Sequence, residues 1–122
     1  MFKKVLFLTI TATVILVIVA SCSKDKTIIA PNPCDTPQPY SYSTHVKPIF
    51  DYHCASFACH SNIAQASSVD LSDYNNAKLH TELGNVLCAI KHTCTPMPKD
   101  EPMLPDSLIQ VIECWAAKGF QN

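Results

Sequence analysis

Three observations predict an all-α domain of short helices and long loops. The closing stretch "PDSLIQVIECWAAKGFQN" repeats apolar residues at helical spacing. Beyond the first twenty or so residues there is no alternating apolar and polar run long enough for a strand, and no internal repeat or heptad. Residues 93–105 are broken by Pro98, Pro102 and Pro105, so that stretch is a long constrained loop.

The N-terminus has the layout of a signal peptide over residues 1–21. Lys3 and Lys4 precede an uncharged apolar run from Val5 to Ala20, and the small residues Ala20 and Ser21 lead into Cys22. That run is shorter than the roughly 20 residues a spanning helix needs, which leaves a plain membrane anchor as the alternative. "VASC" resembles the lipobox of bacterial lipoproteins. The resemblance implies cleavage before Cys22, lipidation of its thiol, and an exported protein of the cell envelope held to a membrane by that lipid. Residues 22–39 mix charge with Pro31, Pro33 and Pro37 and read as a flexible tether, leaving residues 40–122 as the folded domain.

Within that domain, "THVKPIFDY" sets Val46, Ile49, Phe50 and His53 at helical spacing, with Ser43 or Thr44 as N-cap and Pro48 in the first turn. "SNIAQASSVDLS" is small and polar, a loop. Asp73 to His80 and Glu82 to Lys91 read as two short helices parted near Thr81. The last helix is capped by Asp106, carries Leu108, Val111, Ile112, Trp115 and Ala116 on one face, and stops at Gly119.

Composition excludes several classes of function. Cleavage after residue 21 of the 122 leaves 101 residues, enough for one domain and one core. Without Lys3 and Lys4, seven lysines face ten acids, which speaks against nucleic-acid partners. The chain has no arginine, the side chain best suited to clamping phosphates or carboxylates, so phosphoryl chemistry gains no support.

Seven cysteines in an exported chain each need a fate. Cys22 is assigned to lipid. "HCASFACHSN" places Cys54 and Cys59 around four residues, with His60 directly after, an expanded form of the Cys-x-x-Cys-His run that binds haem covalently. Cys34, Cys88, Cys94 and Cys114 remain, an even number, and the short interval between Cys88 and Cys94 is an easy local closure. A Cys54–Cys59 disulfide closes the count equally well, giving a haem-free, disulfide-stapled interaction lipoprotein. A zinc module would draw on Cys54, Cys59 or His60 with Cys88, His92 or Cys94, whose types suit zinc but whose spacings do not.

Taken in order, "VKPIFDYHCASFACH", "VDLSDYNNA", "MPK" and "LIQVIECWAAKGFQN" resemble the small one-haem cytochrome c domains of exported bacterial lipoproteins. The four-residue gap departs from the family's usual two. The resemblance spans residue 43 to the C-terminus and implies a cytochrome c-like fold whose N- and C-terminal helices pack together, from which a Cys34–Cys114 disulfide follows. It implies one haem c bound through Cys54 and Cys59, with His60 and Met97 as axial ligands of the iron. Met103 stands in reserve for Met97, and His80 or His92 would give a bis-His site instead. The implied role is single-electron transfer between transient protein partners, without substrate turnover.

Overall fold

In the computed structural model, residues 31–122 are described. The signal peptide, Cys22 and the first part of the tether lie outside the described residues. Among those residues there is no strand. The architecture is helical: α1 (Lys47–His53), α2 (Tyr74–Glu82), α3 (Asn85–Ile90) and α4 (Asp106–Ala117), with a π-helical turn over Tyr42–Val46 and a 3-10 turn over Ala66–Ser68. No helix among them is long and apolar enough to cross a membrane.

The start of α1 differs from the expected capping. Neither Ser43 nor Thr44 is the N-cap, because the π-helical turn already occupies them. Val46 caps α1 without a side-chain bond, and Pro48 sits in its first turn, where a missing N–H costs nothing. The turn is held from outside instead, Ser41 N–H donating to His45 Nδ1 at 3.2 Å. Val46, Ile49 and Phe50 are buried as the spacing predicts, whereas His53 is half-exposed.

Asp73 caps α2, its carboxylate accepting from the Asn75 and Asn76 N–H groups at 2.9 and 3.2 Å. Burial by itself would raise this carboxyl, but the bonds from Asn76 and Asn75 outweigh it and hold the group below its ordinary value. The helix break falls at Leu83–Gly84, later than Thr81. Gly84 has φ +81°, a left-handed conformation that costs glycine little, while Thr81 is still within the helix, its hydroxyl donating to the Ala77 carbonyl at 2.7 Å. In α4, Asp106 is the first helical residue rather than the cap. Its buried face is Ile109, Ile112, Cys114 and Trp115, rotated from the expected stripe, with Leu108, Val111 and Ala116 half-buried at its edges.

Trp115 is fully buried and anchors the core. Its ring meets Phe120 nearly edge-on at 4.9 Å and lies 5.8 Å from Tyr42 and 6.4 Å from Tyr74. The chain end is strapped over this cluster: Gln121 O accepts from Trp115 Nε1 at 2.7 Å and from Tyr42 N–H at 2.8 Å, and Phe120 O accepts from Tyr74 Oη at 2.7 Å. The π-helical turn and α4 therefore pack together, as do α2 with α3 and both with α4.

Two cysteine pairs stand at bonding geometry, Cys34–Cys114 with Cα atoms 5.0 Å apart and Cys88–Cys94 with 5.4 Å. The first joins residues 80 apart in sequence, so on chain entropy it stabilises by about 4 kcal/mol, while the second, six apart, contributes about 2 kcal/mol. Lys118 Nζ adds to the first connection by donating to Thr36 O and Gln38 O at 2.6 and 2.9 Å. The segment around Cys34 is thereby fastened to the last helix, and Pro31–Asn122 forms one compact unit.

Candidate functional site

The site begins where α1 ends. Cys54 N–H and Ala55 N–H both donate to Phe50 O, at 2.9 and 2.7 Å, so the chain leaves the helix in a tight bifurcated turn. The four residues between the cysteines then bulge outward, Ser56, Phe57 and Ala58 all being exposed. The bulge closes on itself: His60 N–H donates to Cys54 O at 3.0 Å and Cys59 N–H to Ser56 O at 3.0 Å. The four-residue loop thus keeps its ends together.

The stretch from Ser61 to Asp70 doubles back. Ala66 N–H bonds to Cys59 O at 3.0 Å and Leu71 N–H to His60 O at 2.8 Å, with Gln65, Ser67 and Ser68 at positive φ making the reversal. Left-handed backbone costs a non-glycine residue roughly 1 kcal/mol or more. What the reversal achieves is placement of Val69 O, 3.3 Å from His60 Nδ1. When Nδ1–H donates there, the proton is fixed on Nδ1 and Nε2 keeps its lone pair, the arrangement that orients an imidazole toward a metal. A backbone carbonyl leaves no signature in sequence, so this partner could not be read there.

Two cavities open beside this turn, of about 290 and about 190 Å³. Cys54, His60, Ile90 and Met97 border both. The larger is otherwise walled by Val69, Leu71, Val86 and Ala89 with His80 among them; the smaller reaches Cys59, His53, Pro98 and Lys99. The larger lies at the lower edge of the roughly 300–1,000 Å³ usual for a small-molecule site and the smaller falls below it.

Met97 arrives from the proline-rich loop. Its N–H donates to Ala89 O at 3.1 Å, and the Cys88–Cys94 bond ties the beginning of the loop to α3. Met103 is 44% exposed and borders neither cavity. Trp115 also borders neither, being wholly engaged in the aromatic cluster.

Cys54 and Cys59 are free thiols, half-buried and exposed respectively. Burial, with a smaller contribution from Cys59, pushes the Cys54 thiol up to about 12. His80 and His92 each have one buried ring nitrogen without a partner, Nδ1 and Nε2. Of the two, His80 borders the larger cavity. Among the described residues no three His, Cys, Asp or Glu side chains converge as a metal-holding group, and Cys88 and Cys94, two of the residues a zinc module would need, are bonded to each other.

No protein-family model, curated protein or solved structure matches this chain. The chemistry rests on the residues. They offer two thiols on one turn, an imidazole steered by its rear nitrogen, a thioether on a fastened loop, and apolar walls between them.

Proposed function

We propose that this chain is a c-type cytochrome, a membrane-tethered electron carrier with one haem c attached through Cys54 and Cys59 and ligated by His60 and Met97. One observation carries the reading: Cys54, His60 and Met97, from two separate loops, border both of the adjoining cavities. The donor set fits such a group, because the imidazole has its rear nitrogen held and the thioether comes from a different loop.

Bound there, the haem supplies a one-electron iron couple, whose potential Met/His ligation raises. The chain's part is to orient His60 through Val69 O, to hold Met97 through the Ala89 bond and the Cys88–Cys94 closure, and to exclude water with Val69, Leu71, Val86 and Ile90. Cys59 and Ala58 are exposed at the rim of the smaller cavity, which leaves one edge within reach of transient redox partners. If His60 and Met97 both held the iron, no coordination position would be left for peroxide or oxygen, and the role would be that of an electron carrier. Lipidated Cys22 would tether it to a membrane of the bacterial cell envelope.

Replacing each methionine tests the ligand set. The oxidised protein should show a weak sulfur-to-iron absorption at the red end of the spectrum. Met97→Ala should abolish it, lower the potential and admit added ligands, while Met103→Ala should leave all three unchanged. The reverse pattern, or no effect from either variant, rejects Met97 as ligand.

A further inference from the structure

We infer that the protein meets the membrane at a second place besides its anchor: the loops on either side of Cys59, which carry Phe57 and Ile63, dock on the lipid surface. The inference rests on the lipid-anchor part of the reading above and does not depend on haem.

Single apolar side chains facing water are ordinary, whereas several together mark a contact surface. Phe57 is 81% and Ile63 73% exposed, and Tyr52 near the end of α1 is 81% exposed. All three fall between Tyr52 and Val69, a stretch bounded by Asp51 and Asp70 that itself contains no lysine, aspartate or glutamate. The other large apolar side chains at the surface have different neighbours. Leu79 and Leu83 stand beside Lys78 and Glu82, and Met103 lies between Glu101 and Asp106, charges that hold those places in water.

The two loops can approach lipid without stripping their backbone of partners. Cys59 N–H donates to Ser56 O, Gln65 N–H to Ser61 O and Ala66 N–H to Cys59 O, each at 3.0 Å. Ser56, Asn62 and Gln65 are exposed beside the apolar tips and can bond to lipid headgroups. Apolar tips set among uncharged polar side chains suit the boundary between headgroups and acyl chains.

The anchor decides the occupant. The Cys34–Cys114 bond, with Lys118 Nζ donating to Thr36 O and Gln38 O, fastens the chain to the domain from Cys34 onward. Between a lipidated Cys22 and Cys34 the chain can reach about 40 Å at full extension. The bilayer is thereby kept beside the domain, and docking by a few side chains is an intramolecular step that needs little affinity of its own.

The experiment places benzoylphenylalanine, a photo-crosslinking residue, in turn at Phe57, Ile63 and Leu83 of the full-length protein in membranes, followed by irradiation and mass spectrometry of the digest. Phospholipid adducts should form at positions 57 and 63 and be several-fold weaker or absent at 83, which is apolar and 63% exposed but adjoins Glu82. Equal lipid adducts at all three positions, adducts at 57 and 63 to a protein instead of lipid, or no adducts at all would each overturn the inference. If these chains fail to accumulate, amide line-broadening decides, measured on the unmodified anchored protein in vesicles whose headgroups carry a nitroxide. Broadening at Phe57 and Ile63 should exceed that at Leu83, and equal broadening overturns the inference. An N-terminal peptide without lipid would refute the anchor reading and the inference with it, and is recognised by mass before irradiation.

Discussion

The two ends of this small domain are built to different standards of completeness. At one end, Tyr42, Tyr74, Trp115 and Phe120 interlock, and both the indole N–H and the Tyr74 hydroxyl are satisfied by the strapped C-terminus. Its single orphan is the Tyr42 hydroxyl, kept neutral because burial, with the carboxylates of Asp51, Asp73 and Asp70, pushes it up to about 12. At the other end, around His60, the backbone runs through left-handed serines, thiols stay unpaired, His80 Nδ1 is buried without a partner, and two cavities share a wall. On the proposed reading, packing in the first region supplies stability and the second region supplies the chemistry.

That division can be broken by mutation. Trp115→Ala should have the largest effect, about 3–5 kcal/mol, because a large fully buried ring leaves a cavity at the centre of the aromatic cluster. Thermal denaturation should register it as a loss of cooperative folding or a large fall in Tm. Were Tm unchanged, the strapped end would not be the source of stability.

Opening Cys88–Cys94 by a double Ala substitution should cost about 2 kcal/mol. Because this bond anchors the loop that carries Met97, it sharpens the contrast between the two ends. The sulfur-to-iron absorption should weaken in the folded variant even at temperatures well below its Tm. A full-strength absorption would show that the proline-rich loop positions Met97 without the crosslink.

Asp73→Ala should cost about 1 kcal/mol through loss of the α2 cap. The carboxyl lies below its ordinary value in the fold, so its contribution is present at neutral pH, above the value in the unfolded chain. It is lost as pH falls through the folded-state value. Denaturant titration at pH 7 should separate the unmodified protein from the Asp73→Ala variant, and titration in strong acid should not.

The smallest effect separates the two thiols. In haem-free protein an alkylating reagent should modify exposed Cys59 before half-buried Cys54, whose thiol is pushed up to about 12. A thiol raised from 9 toward 12 makes the folded state bind more protons than the unfolded one. Its stabilisation is therefore complete below pH 9 and fades as pH rises through the interval to about 12. Equal modification rates at about pH 8, followed by peptide mapping, would contradict the burial of Cys54.

The sequence was most legible where one periodicity dominated. Val46, Ile49, Phe50, Ile112 and Trp115 are buried as helical spacing predicts, the 93–105 stretch is irregular, and Asp73 begins a helix. It misled where tertiary partners override local preference. Ser43 and Thr44 look like caps, yet the π-helical turn and His45 take that place, and Gly84 rather than Thr81 divides α2 from α3 because only glycine adopts φ +81° cheaply. At the site, residue types were legible and support was not. Cys54, Cys59 and His60 stand out by their spacing and Met97 only through the family resemblance, whereas Val69 O, Ala89 O and the buried Nδ1 of His80 exist only once the chain has folded.

The pyridine haemochrome spectrum of protein purified from membranes of a host able to attach haem decides whether the incomplete end is a haem site. The α-band should lie where two saturated side chains replace both vinyl groups, with one haem per chain, and Cys54→Ala or Cys59→Ala should move it to the single-thioether position. A spectrum without haem, accompanied by a mapped Cys54–Cys59 disulfide, would contradict the cytochrome reading and leave a disulfide-stapled lipoprotein in its place.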